Sequence, residues 1–529
     1  MKVYLNVVRD TLKRNRKLYI PYIGICSLFV FLFFIFALCA ASPEIRNSEY
    51  GVSKAGVYQM GYIVLGFFSY FIINYAGSLI MKSRGKEQGL LMLLGFSKKD
   101  LGIVELLITL FTSIISMVFG ILLSSIFGKI IFAAIQKSLD ISVRGQFDIK
   151  PYIQTVFSFA IIFLIILVIN QIRTIKFSPI KFMEESKKGD RIKANKYFGI
   201  LGFILCFAGY YIANNSALVR NDNVLLIFME AVILVIFGTN LLFSEVSVLI
   251  MGLLKKKRSY FFKKDNFLYL TGMMHRVRKS ASSMAGIAIL LTMSLITMAS
   301  FASIFLHAKE LKTVIGKGEY NITVRSERDL NEVKEFMDAH SDTFENYEVI
   351  KFTDDTSEVA YSISFDSNKS HDELNEIVSY INLKDGHHFE TTDRLQAGIV
   401  GIYGDIIYVA IFLTVAFLFS CIMLMYYKQY FEGIEDRFRY EVMKNVGMTG
   451  GEIKKTVSRQ MRAMLIAPIV VALIHSLGAV NVVTYLLKGL QAATTQEYII
   501  NLLLSFGIIA VIYLIASNLL SKVYYNLVK

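Results

Sequence analysis

The sequence predicts an all-α polytopic membrane protein: ten transmembrane helices in two pseudo-repeated four-helix halves plus an inserted pair, with a small extracytoplasmic α/β domain. Three observations predict it. The 529 residues are 54% hydrophobic and carry repeated uncharged apolar runs, most of about 18 residues or more and only the fifth short, long enough to cross a bilayer as a helix. The connections between those runs alternate between basic and non-basic. A short turn grammar also occurs twice, as LLGFSKKD at 93–100 and NVGMTGGE at 445–452.

The ten apolar segments fall at about 19–41, 57–80, 102–135, 152–172, 198–213, 223–254, 284–307, 398–427, 462–487 and 498–520. Arg9, Lys13, Arg14, Arg16 and Lys17 precede the first. Lys82, Arg84, Lys86, Lys98 and Lys99 follow the second, and a basic stretch from Arg173 to Lys196 follows the fourth. Lys255 to Lys279 follow the sixth, and Arg437, Arg439, Lys444, Lys454, Lys455, Arg459 and Arg462 separate the eighth from the ninth. By the positive-inside rule every second connection, and both termini, are expected in the cytoplasm of a cell-membrane protein. FALCAASPE at 36–44 has the look of a cleavage region, but its apolar run is longer than a signal-peptide core and Leu38 before Cys39 does not suit lipoprotein cleavage, so a retained span is expected.

The five prolines leave the runs nearly unbroken, and the absence of Trp leaves the 29 tyrosines to furnish any interfacial aromatic belt. Cys26, Cys39, Cys206 and Cys421 lie in or at the end of apolar runs and read as buried small hydrophobes, without metal or redox spacing. Segment 309–397 holds ten Lys and Arg against twenty Asp and Glu, so the formal charge of +14 for the chain splits into −10 outside and +24 elsewhere. A basic excess facing anionic headgroups accounts for the charge without nucleic acid. Within 309–397, YNITV (320–324) and EVAYSISF (358–365) read as strands, and 328–340 and 371–381 as helices, giving a strand-helix-strand-strand-helix expectation.

The repeated grammar specifies helix, sharp corner, helix. Gly95 and Gly447 suit the left-handed position after a helix end. Ser97 and Thr449 are placed to cap the next helix, with Asp100 and Glu452 completing capping boxes. Phe96 and Met448 precede the caps, where they can staple onto Leu101 and Ile453. The stretches NVVRDTLKRNRK (6–17) and NFLYLTGMMHRVRK (266–279) both lead into a span. Spans one to four therefore correspond in order to spans seven to ten. The expected divisions are 1–175 (first half), 176–264 (linker and spans five and six), 265–308 (amphipathic helix and span seven), 309–397 (outside domain) and 398–529 (spans eight to ten).

Catalytic chemistry finds no footing. There is no GxxxxGK[ST] phosphate loop, no HExxH and no GxSxG. The adjacent His387 and His388 are expected in a loop near the membrane and do not suit one metal site; His475 reads as a packing residue. Glu105, Lys129, Glu230 and Glu245 lie in or near spans, where packing or interface roles are expected.

Before each corner lies a short, partly apolar stretch: KSRGKEQGLLMLL (82–94) and EDRFRYEVMKNV (435–446). Such helices bury a face in the lipid interface or in a partner, and recurrence at matched places favours a partner. KEQGLLMLLGFSKKDLG (86–102) resembles the signature of the FtsX-like permease family, in which a glutamate, here Glu87, stands eight residues before the glycine, here Gly95. Ten spans with an outside domain between the seventh and eighth resemble permeases of bacitracin-type peptide-antibiotic resistance ABC transporters. The resemblance implies a mechanotransmission ABC fold, gripped by two copies of a separate ATPase subunit. It implies no enzymatic activity and no cofactor in this chain, ATP being bound by the partner. A membrane histidine kinase and a peptide or lipid-linked cell-wall substrate are further implied partners. On this footing Glu87, Leu90, Leu91, Leu94, Gly95, Phe96 and Ser97 form one ATPase-coupling element, and Arg439, Glu441, Val442, Gly447, Met448 and Thr449 the other. In the second copy Arg439 stands where the signature has its glutamate, Glu441 standing six before Gly447, and the outside domain is short for that subfamily. An ABC permease acting on lipid, lipoprotein or wall hydrolases is the alternative cargo reading. An ion-driven secondary transporter is the other class, although the spans offer few broken helices.

Overall fold

The computed structural model describes residues 2–47, 51–139, 149–176, 195–216, 224–314, 318–353, 359–379, 387–489 and 493–528. Most of the basic stretch 173–196, and the side chains of Lys129 and Arg439, lie outside the described set. The chain opens with α1 (Lys2–Arg14), α2 (Arg16–Ala41), α3 (Pro43–Asn47), α4 (Gly51–Ser83), α5 (Gly85–Leu93), α6 (Lys98–Leu139) and α7 (Lys150–Lys176). Next come α8 (Lys196–Ser216) and α9 (Val224–Leu241), which passes through a π-helical turn (Leu242–Val246) into α10 (Ser247–Lys256). A single turn, α11 (Arg258–Phe261), precedes the long α12 (Lys264–Val314). After the outside domain come α15 (Thr392–Asn445), α16 (Gly450–Gly478), α17 (Val480–Gly489) and α18 (Thr495–Val528). Among the described residues ten helices are long and apolar enough to cross a membrane, in α2, α4, α6, α7, α8, the α9–α10 run, α12, α15, α16 and α18.

The packing repeats as the order did. In the first half α2 lies against α4, α6 and α7; in the second, α12 lies against α15, α16 and α18. Contact of α4 with α15 joins the halves, and one continuous core runs through both. The expected retained span, α2, is the most enclosed of the ten, with Ile25, Cys26, Phe29 and Val30 buried. All four cysteines are free and buried. The inserted pair packs chiefly on itself: a Cβ at Gly238 would lie 2.9 Å from the carbonyl oxygen of Gly202, so only glycine allows this approach. Its outer end leans on the second half, where His475 meets the Tyr210 hydroxyl through Nδ1 and Thr239 Oγ1 at 2.9 Å through Nε2. The packing role expected of His475 agrees with these bonds.

The α/β domain between α12 and α15, expected outside, is β1 (Tyr320–Val324), α13 (Glu327–Ala339), β2 (Glu345–Thr353), β3 (Val359–Asp366), α14 (His371–Ser379) and β4 (His387–Thr391). The four strands are antiparallel in the order β2-β3-β1-β4, the split βαβ arrangement. Ile322, Val324, Ile363 and Phe365 point to one face, where Val333, Met337, Leu374 and Val378 complete a separate core. One expectation is corrected. His387 and His388 are not in a loop but begin β4, paired with Val324 and Thr323, because β1 offers an open edge to a segment too short and polar to signal a strand. The sheet is bonded to the helix that leaves it. Asn321 Nδ2 donates to Thr392 Oγ1 at 2.5 Å and Thr392 N to Glu319 O at 2.9 Å, Thr392 being the first residue of α15.

From that bond α15 continues without proline for 54 residues, about 81 Å at 1.5 Å per residue and well beyond a ~30 Å hydrocarbon layer. Its far end is the second corner. Six spans separate the two corners, so both lie at the end of the bundle away from the domain.

Candidate coupling surface

Both corners are built as their residues dictate. Gly95 has φ +99° and Gly447 φ +101°, a region that L side chains rarely adopt. Phe96 N donates to Leu91 O at 3.0 Å and Gly95 N to Met92 O at 3.1 Å. Met448 N donates to Met443 O at 3.0 Å and Gly447 N to Lys444 O at 2.9 Å. These are two Schellman endings in matching register. Each next helix starts with a reciprocal cap: Asp100 N donates to Ser97 Oγ (3.2 Å) and Ser97 N to Asp100 Oδ2 (2.8 Å). At the second corner Glu452 N donates to Thr449 Oγ1 (3.3 Å) and Thr449 N to Glu452 Oε2 (3.1 Å). A cap of this kind contributes about 1 kcal/mol, so the corners are fixed in shape.

The helices before the glycines turn apolar residues outward. Leu90 is 57% exposed, Leu93 77% and Leu94 70%; in the second copy Val442 is 43% and Val446 83%. Leu93 and Val446, the most exposed of the five, were not among the expected coupling residues. Leu93 stands two before Gly95 and Val446 one before Gly447, and apolar residues this close to a helix-ending glycine are the signal that would have found them. Leu91 is half-buried at the Schellman turn, and Ser97 and Thr449 are exposed at the caps. Phe96 stacks edge-on with Tyr4, ring centroids 6.4 Å apart, while Met448 packs against the buried cluster that includes Tyr440 and Ile453. Glu441 is exposed and pairs with Arg437 at 3.2 Å, a surface pair contributing at most about 1 kcal/mol.

Glu87 is different. Its carboxylate turns inward, accepting from Thr11 Oγ1 at 2.7 Å and Asn15 Nδ2 at 3.2 Å and pairing with Arg14 at 2.7 Å. Tyr4 of the same N-terminal helix donates to Asp100 at 2.6 Å. Thus α1 clasps the first corner at two points. Burial alone would raise the Glu87 carboxyl, but Arg84, Thr11 and Arg14 outweigh it and hold the group below its ordinary 4.5. A carboxylate depressed in the folded state stabilises above its unfolded value, and that contribution is lost as pH falls through the folded value. The clasp is therefore expected to loosen as pH drops below about 4.5, seen as lost amide-exchange protection in residues 2–14. In Glu87→Gln that acid sensitivity should shrink, the Tyr4–Asp100 contact supplying what remains. Protection that stays flat with pH in the parent chain would contradict the account.

The second corner is held otherwise. Arg14 and Arg276 occupy matched places, each three before the lysine that closes its basic stretch. Arg276 meets Asp436 at 2.9 Å through Nε, an ion pair without hydrogen-bond alignment, and Glu432 at 3.2 Å through Nη2. The acid is thus present in the second copy, one helical turn before position 439 and on the same face. Arg276 is 3% exposed, against 66% for Arg14. Gln460 accepts from Arg276 at 3.0 Å, Tyr524 lies 4.7 Å beneath its guanidinium, and Lys428 pairs with Glu432 at 3.0 Å. Four spans meet there. In the first half the comparable buried pair is Arg84 with Glu105 at 2.7 Å, with the Tyr19 hydroxyl at 3.1 Å. Glu245, in the π-helical turn, is buried too, accepting from Asn195 N at 2.7 Å and facing Arg278 at 3.6 Å.

A bundle of ten helices of spanning length, with paired, capped corners at one end and a folded domain at the other, defines a multi-pass membrane protein. Residues 60–179, covering spans two to four and the first corner, match the family described as FtsX-like permease C-terminal. The chain is 26% identical over 280 residues to the uncharacterized ABC transporter permease YvcS of Bacillus subtilis (strain 168), 52% of this chain and 43% of that one. It is 24% identical over 285 residues to the bacitracin export permease protein BceB of the same organism, 52% and 44% respectively. Against BceB of Halalkalibacterium halodurans it is 24% identical over 354 residues, 63% and 53%. The chain spans about half the length of the curated relatives it matches. Its residues 60–179 are thus similar to the FtsX-like permease domain, and the chain is similar to ABC transporter permeases, including bacitracin export permeases.

Proposed function

We propose that this chain is the membrane subunit of an ABC transporter of the mechanotransmission type, acting in antimicrobial-peptide resistance, export or sensing. Two copies of a separate ATPase dock on the two corners, which face the cytoplasm together with both termini. ATP is bound and hydrolysed by that partner. The outside domain engages a peptide or a lipid-linked wall precursor, and a membrane histidine kinase reads its state. One observation carries the reading: two corners of the same geometry stand at one end of the bundle with leucine and valine turned outward, and one of them ends a helix that starts in the outside domain. Exposed apolar side chains on rigid corners suit insertion into a partner's groove.

The test is co-purification with the ATPase encoded beside this gene, followed by ATP hydrolysis, for the parent chain and the Leu90→Asp, Val442→Asp double variant. The parent is expected to capture the ATPase and the variant to lose it, about tenfold or more, since two charges replace two buried apolar contacts at about 1.5–3 kcal/mol each. Elution as a monodisperse species checks that the variant's spans are intact. Equal capture by both chains would leave the corners as elbows resting on lipid.

A further inference from the structure

The connection between α10 and α12 reads KKKRSYFFKK at 255–264 and contains no acid. Lys255, Lys256, Lys257, Arg258 and Lys263 are all exposed. Among the described residues none of the five is paired with a carboxylate. Large apolar side chains stand outward beside them: Phe262 is 73% exposed, Leu253 65% and Phe267 44%.

The turn that carries them is held firmly. Tyr260 and Phe261, like Met251 and Leu254, pack against the buried cluster that includes Tyr269 and Leu270. Asn266 Nδ2 donates to Tyr260 O at 3.0 Å, and Arg459 donates to Asn266 Oδ1 at 2.8 Å and to the Tyr260 hydroxyl at 3.3 Å. The Arg459 guanidinium also lies over the Tyr269 ring at 4.7 Å. Arg459 belongs to α16, the helix that leaves the second corner.

An acidic protein surface would match the cations, but the placement of the apolar groups favours lipid. Leu253 lies in the last turn of the run that forms the sixth span, Glu230–Lys256, which places its outward face at the lipid boundary. The cations follow directly where that span ends. Leu253 precedes the cations and Phe262 follows them, so exposed apolar groups flank a cluster of positive charge at a span's end, where anionic headgroups stand. We infer that the 253–263 hairpin is a binding site for an anionic phospholipid, with the phosphate headgroup among Lys255, Lys256, Lys257, Arg258 and Lys263 and the acyl chains along Leu253 and Phe262. A lipid seated there abuts, through Tyr260 and Arg459, the helix leaving the second corner. The inference rests on the spans and not on the ATPase, so either can fail alone.

The chain has no tryptophan, so Phe262→Trp supplies a single fluorophore at the site. The full chain carrying it is placed in phosphatidylcholine nanodiscs doped with a small fraction of dibrominated phosphatidylglycerol or dibrominated phosphatidylcholine, and quenching is read. The anionic quencher is expected to be preferred by at least about fivefold, the contribution of one cation at a membrane surface. Adding Lys255→Gln, Lys256→Gln, Lys257→Gln and Arg258→Gln should erase the preference while quenching by both lipids persists; Lys98→Gln with Lys99→Gln, elsewhere on the same end, should leave it intact. Equal quenching by the two lipids overturns the inference, as does loss of preference in the Lys98, Lys99 control. Absence of quenching by either lipid places the ring outside the bilayer and assigns the surface to a protein. Abolition of the preference by excess inorganic phosphate assigns it to free phosphate.

Discussion

Arg276→Met is expected to destabilise the chain by about 3–5 kcal/mol, the typical cost of removing one partner from a buried ionic cluster. Arg276 and Lys428 balance Glu432 and Asp436, all at 13% exposure or less. Methionine keeps most of the side-chain volume, so the loss is of charge rather than of packing, and one carboxylate remains unbalanced. The measurement is thermal unfolding in detergent with a thiol-reactive dye, the four buried cysteines serving as reporters. Asp436→Asn in the same chain restores neutrality and should recover much of the midpoint, although Tyr524 loses its 2.9 Å bond to the carboxylate. A midpoint unmoved by Arg276→Met would mean that the cluster is solvated, contrary to its burial.

Arg84→Met should cost a similar amount, about 3–5 kcal/mol. Arg84 is 2% exposed and is the cation given to buried Glu105. It also stands where α4 ends at Ser83 and α5 begins at Gly85, its guanidinium 3.8 Å from the Glu87 carboxylate of α5. Two effects should therefore appear together: a lower midpoint, and faster proteolysis or amide exchange in residues 85–97. Glu105→Gln in the same chain should restore the midpoint more than the exchange. If both recover equally, Arg84 has no part in orienting the first corner beyond charge balance.

Much of this was legible in the sequence because it is local. Spans follow from composition, and the corners follow from Gly95, Ser97 and Asp100 or Gly447, Thr449 and Glu452, which act on neighbours within one or two turns. What lay hidden spans long separations. Arg276 finds Glu432 across 156 residues, and Thr11 finds Glu87 across 76; no periodicity encodes either meeting. The same limit explains Glu87, whose signature position is plain but whose inward turn depends on α1. It also explains Arg439: counting eight residues back from Gly447 found an arginine, whereas the face of the helix, which counts in turns, offered Asp436. Strand β4 was missed for a related reason, since His387–Thr391 becomes a strand by pairing with β1 rather than by its own composition.

The continuity of α15 has a mechanical corollary. A proline-free helix of 54 residues, bonded at Thr392 to the sheet and ending at the second corner, is a lever with arms of about 40 Å on either side of its centre. Tilting it by about 5° carries each tip through about 3.5 Å in opposite directions, given the 1.5 Å rise per residue. For a rigid rod of this length, a side-chain-sized displacement at one end is matched at the other. The first corner has no such arm, because α5 is set off from α4 at Arg84. The two corners have the same shape and unequal reach: one is the end of a lever, the other a knuckle.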